Sequence, residues 1–111
     1  MWNLQSINKG DYKMNINTEI NNGKLIINLE GRLDTNTAPQ LEDTINQQIE
    51  NITELLLNLK NLEYISSAGL RVILSAQKIM NKQGKMKIIN ANDNVMEVFD
   101  MTGFLDILDV E

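Results

Sequence analysis

Hydrophobic and polar residues alternate along the first half of the chain in a pattern typical of β-strands. The first such segment has apolar or β-branched residues at every second position: Met14, Ile16, Thr18 and Ile20. The sequence Asn21–Gly23 predicts a tight turn, so we expect the next strand to return antiparallel as a hairpin. That strand is Lys24–Glu30. Its apolar run, Leu25–Leu29, is nearly continuous, which predicts burial on both of its faces.

Three later segments carry apolar residues at three- and four-residue steps, which predicts amphipathic helices. The first begins at Thr37, because Thr37 and Gln40 have the spacing of a capping box. The second is predicted over Ala68–Asn81, and the third from about Asn94 to Met101.

Two further apolar runs, Glu54–Leu59 and Lys85–Asn90, lie between these helices and are predicted to be strands. The alternation of strands and helices predicts a single α/β domain with a mixed, mostly parallel sheet of four to five strands. The hairpin supplies its antiparallel strand, and the helices pack against it. Residues 104–110 are expected to add either a short edge strand or a docked tail. Residues 1–13 have no clear period, and we expect them to be a disordered extension ahead of a domain at 14–111.

Composition excludes several classes of function. The chain has 111 residues and a net charge of −5, which disfavours nucleic acid and anionic membranes as partners. It contains neither cysteine nor histidine, so thiol chemistry, the Ser-His-Asp triad and most zinc sites are excluded. No apolar run approaches the roughly 20 residues that span a bilayer, and the N-terminus lacks the features of a secretory signal. We therefore expect a cytoplasmic protein.

Candidate chemistry lies at the ends of two predicted strands. Ser66–Arg71 forms a turn from a strand into a helix, where free backbone N–H groups and the helix dipole accept an anion. Ser67 is thus either an ordinary helix cap or a place where a phosphate is tolerated. The loop that contains Asp34 follows the preceding strand. If these two strands are parallel neighbours, Asp34 and Ser67 share one edge of the sheet and form a small polar patch there.

An enzyme is not expected from these residues. Nucleophilic serine chemistry needs a base within hydrogen-bond reach, and histidine is absent. A lysine can act as the base only if it is desolvated, and Lys60 is the one lysine in either loop. Asp34 and Glu63 are too few carboxylates for a magnesium or calcium site. Ser66–Leu70 has a single glycine, which does not fit a phosphate-binding fingerprint. The sequence therefore predicts no catalytic residues, metal or cofactor.

The segment Leu62–Leu74, preceded by Leu55–Leu59, resembles the signature of the STAS domain (sulphate transporter and anti-sigma factor antagonist). Gly31–Asp34 and Ala91–Phe104 resemble two further blocks of that family, and the resemblance covers nearly all of 14–110. The length of the chain resembles that of the free-standing bacterial antagonists. The resemblance implies an anti-sigma-factor antagonist. We expect a monomer or a weak dimer, since exposed edge strands allow dimers to form.

The resemblance to the free-standing antagonists implies that the chain acts by partner switching. An anti-sigma-factor serine kinase binds the unphosphorylated antagonist and releases the sigma factor; phosphorylation of one serine ends that contact, and a PP2C-type phosphatase resets the cycle. By this resemblance the phosphorylated serine corresponds to Ser67. The usual aspartate of the motif corresponds to Ser66, a departure that leaves Ser66 as an alternative acceptor. The resemblance also places Asp34 in a loop that family members use at the kinase interface. We expect six partner-binding residues in all: Asp34, Thr35, Ser66, Ser67, Gly69 and Arg71.

Three of these residues also have a purely structural interpretation. Gly69 allows close packing of a helix on a strand, Asp34 supports its own loop as an Asx turn, and Arg71 is a solvated helix residue. The alternative function is a non-signalling STAS accessory subunit of a larger complex, such as a lipid-transport ATPase. A third hypothesis, nucleotide sensing at the strand ends, lacks a glycine-rich phosphate cradle.

Overall fold

The computed structural model describes residues 14–111, in which four strands form one mixed sheet in the order β1-β2-β3-β4. Strand β1 (Met14–Asn21) pairs antiparallel with β2 (Lys24–Leu33). Strand β2 pairs parallel with β3 (Glu54–Ile65), and β3 pairs parallel with β4 (Lys85–Ile89). The predicted α/β class, the hairpin and the mixed sheet are confirmed, with four strands in the sheet. The extension predicted at residues 1–13 lies outside the described residues.

Three helices connect and follow these strands: α1 (Ala38–Gln48), α2 (Ser67–Gln83) and α3 (Asp93–Met101). A 3-10 turn, Phe104–Asp106, comes after α3. Beyond it, Val110 forms an isolated parallel bridge with Ile88. The end of the chain is therefore a tail docked on the edge of β4, one of the two arrangements that the sequence left open.

One face of the sheet forms the core with the helices. In β2, Leu25, Ile27 and Leu29 are buried, whereas Ile26 and Asn28 between them are only half-buried. The expectation that this strand is buried on both faces is wrong, because all three helices contribute their buried side chains to the same core cluster. The other face carries hydrogen-bonded asparagines: Asn58 Nδ2 donates to Asn28 Oδ1 over 2.8 Å.

Strands β2 and β3 extend further than the sequence predicts. The parallel ladder continues through two register shifts, the second beside Gly31, whose φ of 104° lies in the region that favours glycine. Beyond the shifts, Leu33 pairs with Ile65, so both strands end at the same level. The residues that follow them are thereby brought to one edge of the sheet.

The start of α1 agrees with the prediction in position but not in its capping bond, and the start of α3 differs in position. Thr37 is the N-cap residue of α1, as predicted, but its side chain makes no capping bond and instead donates to the Arg32 carbonyl oxygen over 2.8 Å. The predicted capping box is therefore absent from α1. Helix α3 is capped by Asn92, whose Oδ1 accepts from the Val95 N–H over 2.8 Å, so the helix begins ahead of Asn94.

Candidate functional site

The site begins where β2 and β3 end side by side. The Ser66 N–H donates to the Leu33 carbonyl oxygen over 2.9 Å, which extends the contact between the strands by one residue. Asp34 follows β2 directly, and Ser67 is the first residue of α2. The parallel pairing therefore places the Asp34 loop and the serine turn next to each other, as expected from the strand order.

The two consecutive serines have opposite environments. Ser66 occupies the N-cap position of α2 with an extended backbone but makes no capping hydrogen bond, and its Oγ is buried with no hydrogen-bond partner among the described residues. Ser67 is exposed. The first turn of α2 contains no acidic residue, so it supplies no negative charge of its own at the positive end of the helix dipole. Of the two candidate acceptors, only Ser67 lies on the surface.

Asp34 holds its own loop together. Its Oδ1 accepts from the backbone N–H of Asn36 over 2.9 Å and of Thr37 over 3.1 Å, while its own N–H donates to Thr37 Oγ1 over 2.9 Å. These bonds form an Asx-type turn that leads into α1. The structural interpretation of Asp34 thus holds in this structure, and its side chain is only 17% exposed.

Arg32 and Tyr64 form a neighbouring surface that the sequence did not indicate. The Arg32 guanidinium lies 4.3 Å from the centroid of the Tyr64 ring, and its Nε is 3.7 Å from Asp34 Oδ2. The two residues pair across β2 and β3 only because of the register shift at Gly31. A one-residue shift in register has no signal in the period of hydrophobic residues, so sequence reasoning could not place them together.

An open groove of about 290 Å³ separates the first turns of α1 and α2. It is lined on one side by Thr35, Ala38, Pro39 and Glu42, and on the other by Ala68, Arg71, Val72 and Ser75. Two predicted partner-binding residues, Thr35 and Arg71, are therefore in this groove. Ser67, Arg71 and Ser75 are exposed and follow one another at four-residue steps, so they form one row along α2. Ser75 was not singled out from the sequence. Its four-residue spacing from Arg71 is the signal that could have identified it as part of this surface.

Gly69 lies beneath this surface. A Cβ atom at Gly69 would lie 2.5 Å from Leu33 Cγ and 3.1 Å from Ile65 Cγ1. The absence of a side chain lets the first turn of α2 pack directly on the ends of β2 and β3. We therefore leave Gly69 out of the surface available to a partner, together with the buried hydroxyl of Ser66.

A sequence profile described as the STAS domain matches residues 15–111. The anti-sigma-B factor antagonist of Bacillus subtilis is 33% identical over 100 residues, which cover 87% of this chain and 92% of that protein. The anti-sigma F factor antagonist of Paenibacillus polymyxa is also 33% identical over 100 residues, with 87% and 86% covered.

Solved structures agree with this match at the level of the fold. The anti-sigma factor antagonist SpoIIAA in its unphosphorylated form superposes with a TM-score of 0.77 at 21% identity, over 87% of this chain and 88% of that one. SpoIIAA in the phosphorylated form gives a TM-score of 0.70 at 20% identity, over 87% and 91%. Among residues 14–111, no helix is long and apolar enough to cross a membrane.

Proposed function

We propose that this chain, which belongs to the STAS-domain family, is an anti-sigma-factor antagonist that acts by partner switching. In its unphosphorylated form it binds an anti-sigma-factor serine kinase in the cytoplasm, and the sigma factor is released. Phosphorylation of Ser67 ends that contact, and a PP2C-type phosphatase restores it. The chain contributes a binding surface and an acceptor hydroxyl, and it catalyses no reaction.

The exposure of Ser67 at the start of α2, beside a buried Ser66 hydroxyl, carries this proposal. A kinase must reach the oxygen that it phosphorylates, and Ser67 meets that requirement. The curated relatives named above are antagonists of anti-sigma factors, and SpoIIAA is known in an unphosphorylated and a phosphorylated form. These relatives favour a signalling role over that of an accessory subunit in a lipid-transport ATPase.

The charge of the phosphate explains how the switch works without refolding. A phosphoserine carries about −1.5 to −2 charges at neutral pH, and the N-terminus of a helix stabilises such a charge. The first turn of α2 contains no carboxylate that would oppose it. Arg71 lies one turn further along the same face, within the range at which side chains four residues apart interact. The modified helix is therefore stable, and the change is felt by the partner.

The proposed contact surface combines the exposed row Ser67, Arg71 and Ser75 with Thr35 across the groove. Asp34 acts indirectly, because its hydrogen bonds fix the loop that carries Thr35. A phosphate on Ser67 adds bulk and negative charge at one end of this row. A partner that fits the unmodified surface closely then loses contact through steric overlap and desolvation of the phosphate.

The acceptor can be identified by mass spectrometry after incubation with the cognate anti-sigma-factor kinase and ATP. We expect one phosphate on Ser67, retained in Ser66→Ala and absent from Ser67→Ala. Ser66→Ala is the matched control, because it removes a neighbouring hydroxyl that is buried. Full phosphorylation of Ser67→Ala would contradict the assignment.

The effect on binding is tested with three substitutions at one position. Ser67→Ala and Ser67→Asn should keep the affinity for the kinase, whereas Ser67→Asp should lower it. Asparagine matches aspartate in size, so the comparison isolates the charge. Equal affinity of Ser67→Asp and wild type would contradict the switch, and co-purification with a membrane ATPase in place of a kinase would support the accessory role.

A further inference from the structure

All of the net negative charge of the chain lies in its last nineteen residues. Residues 93–111 hold six carboxylates and no lysine or arginine, a charge of −6, whereas the whole chain has −5. The first 92 residues therefore carry a net charge of +1. The six acidic residues are Asp93, Glu97, Asp100, Asp106, Asp109 and Glu111. We call residues 93–111 the C-terminal acidic segment.

Large apolar side chains are exposed within the same segment. Met101 is 78% exposed, Ile107 50% and Leu105 37%, all within seven consecutive residues. In the rest of the described chain, the exposed large hydrophobic residues are Ile20 and Tyr64, which lie far apart in the sequence. Exposed apolar side chains that lie close together in sequence, with carboxylates between them, indicate an interaction surface.

This segment is held firmly on the fold. Val95 and Phe99 are fully buried, and Leu108 is 6% exposed, so three side chains anchor α3 and the turn that follows it. The exposure of Met101, Leu105 and Ile107 is therefore a property of an ordered surface.

The main chain of β4 at the outer edge of the sheet is already paired with the end of the C-terminal acidic segment. The Ile88 N–H donates to the Asp109 carbonyl oxygen and the Glu111 N–H donates to the Ile88 carbonyl oxygen, both over 2.8 Å. Lys87 Nζ lies 2.9 Å from Glu111 Oε2, and this hydrogen bond and charge raise the pKa of Lys87. A partner that adds a strand to β4 would have to displace these contacts. A partner that uses side chains finds the surface free.

The apolar part of the segment lies away from the Ser67 surface. Helix α3 begins near the carboxyl ends of the strands, where Asn92 Nδ2 donates to the Leu62 carbonyl oxygen, so Asp93 is at the same end of the sheet as Ser67. Val110 runs parallel to β4 beside Ile88, so the 3-10 turn that precedes it lies toward the amino end of β4. Ser67 follows the carboxyl end of β3, which is parallel to β4, so the 3-10 turn lies toward the opposite end of the strands from Ser67.

Charge decides which kind of partner fits. A surface of charge −6 repels nucleic acid, anionic lipid and a second copy of itself, and it attracts lysine and arginine. Within residues 14–111, the Lys87–Glu111 contact is the ion pair that reaches this segment, so the other five carboxylates remain available. An amphipathic helix presents an apolar row with basic residues on both sides, which complements an apolar strip lined by acids.

We propose that the C-terminal acidic segment docks a cationic amphipathic helix of a partner protein, at a surface separate from the one that contains Ser67. Met101, Leu105 and Ile107 receive the apolar row, and the surrounding carboxylates pair with its lysine or arginine side chains. The contact is independent of the phosphorylation state of Ser67. It would allow the molecule to be held in an assembly while its other edge exchanges partners.

A synthetic helical peptide of leucine and lysine, about five turns long, tests this surface. Titration into the ¹⁵N-labelled full chain should give saturable shifts of the amide signals of residues 93–111. A scrambled peptide of the same composition should bind more weakly, since it has the charge without the apolar row. Shifts centred on Ser67–Ser75, no shifts, or equal binding of the scrambled peptide would overturn the proposal.

Variants separate the apolar contact from charge alone. Met101→Ser combined with Ile107→Ser leaves every carboxylate in place and should weaken binding about tenfold or more, the scale expected from losing two apolar contacts. Ile20→Ser is the matched control: Ile20 is 56% exposed on β1, outside the acidic segment, so its substitution should have no effect. Unchanged binding of the double variant, an equal loss in Ile20→Ser, or a wild-type dimer that becomes a monomer in the double variant would contradict the assignment.

The contribution of the carboxylates is tested by replacing Glu97, Asp100 and Asp106 with Gln, Asn and Asn. The affinity should fall and its dependence on salt should weaken, because exposed ion pairs are screened. Each of these variants can be phosphorylated on Ser67 in parallel. A variant that is phosphorylated normally on Ser67 but no longer binds the peptide shows that this surface is separate from the proposed switch. The peptide titration does not depend on phosphorylation, so it tests the acidic segment even if the switch is absent.

Discussion

Ser66 and Ser67 show how far one position along the chain can change the role of a hydroxyl. Ser66 has the backbone of a cap but places its Oγ in the interior without a partner, while Ser67 begins the helix at the surface. Their residue type alone does not distinguish them, because both are serines at a helix start, and only the family resemblance favours Ser67 as the acceptor. The difference arises from the way α2 packs on the ends of two strands, which depends on residues far away in the sequence.

Gly69 sets that packing, and its substitution gives a direct test at the residue scale. Gly69→Ala would place a methyl group 2.5 Å from Leu33 Cγ, and Leu33 is fully buried. Overpacking of this kind costs about 1–3 kcal/mol. We expect the free energy of unfolding, measured by urea denaturation, to fall by about 1 kcal/mol, because the gain in helix propensity of about 1 kcal/mol offsets part of this cost.

Ser67→Ala is the control for Gly69→Ala, since it lies in the same turn on the exposed side. Its effect on stability should stay within about 0.5 kcal/mol. A Gly69→Ala protein as stable as wild type would mean that Leu33 moves aside freely, and that the close approach of α2 to the strands is not needed.

At the scale of elements, the start of α3 is fixed by one side chain, whereas α1 and α2 have no side-chain cap. Asn92 Oδ1 accepts from the Val95 N–H, and Asn92 Nδ2 donates to the Leu62 carbonyl oxygen over 3.0 Å, so this residue both caps α3 and ties it to β3. Asn92→Ala should lower the free energy of unfolding by about 1–2 kcal/mol, the cost of a lost cap and a lost hydrogen bond.

The prediction for Asn92 is checked against Asn94→Ala in the same thermal or urea measurement. Asn94 is exposed in the first turn of α3, where the sequence pattern had placed the helix start. Its substitution should change the stability by less than about 0.5 kcal/mol. Equal effects of the two substitutions would argue against Asn92 as the cap.

The order of the elements could be predicted from the sequence because it depends on local signals. The turn at Asn21–Gly23 and the periods of two and about 3.6 residues are each contained in short windows. The ends of β2 and β3 could not be predicted, because the bulge at Gly31 and the pairing of Leu33 with Ile65 involve residues that are distant in sequence. The two loops of the candidate site could still be predicted to lie next to each other. They follow β2 and β3, and parallel strands that are neighbours end at the same edge of the sheet.

The prediction that β2 is buried on both faces was also wrong. Leu25–Leu29 is apolar almost throughout, and such a run is typical of a strand covered on both faces. Here the helices all pack on one face, so alternate residues stay outside the core. Composition within the strand has no information about how many layers the rest of the chain will supply.

At the scale of the whole molecule, the sheet separates two surfaces of different character. The carboxyl edge carries the serine turn and the groove between α1 and α2, with Arg71 among its lining residues. The other surface holds the carboxylates and exposed apolar side chains of the C-terminal acidic segment. Ser67 is exposed and lies outside the buried core. A charge added at Ser67 can therefore change docking at its own surface while the core, and with it the rest of the fold, stays as it was.

The most direct test of the switch compares the same protein with and without a phosphate on Ser67. Its affinity for the cognate anti-sigma-factor kinase is measured by calorimetry, and its amide spectrum is recorded in both states. We predict a loss of affinity of about 100-fold or more, equivalent to roughly 3 kcal/mol, with amide shifts confined to the first turn of α2 and the Asp34 loop. Equal affinity of the two forms, or shifts that spread through the sheet and indicate refolding, would contradict the account.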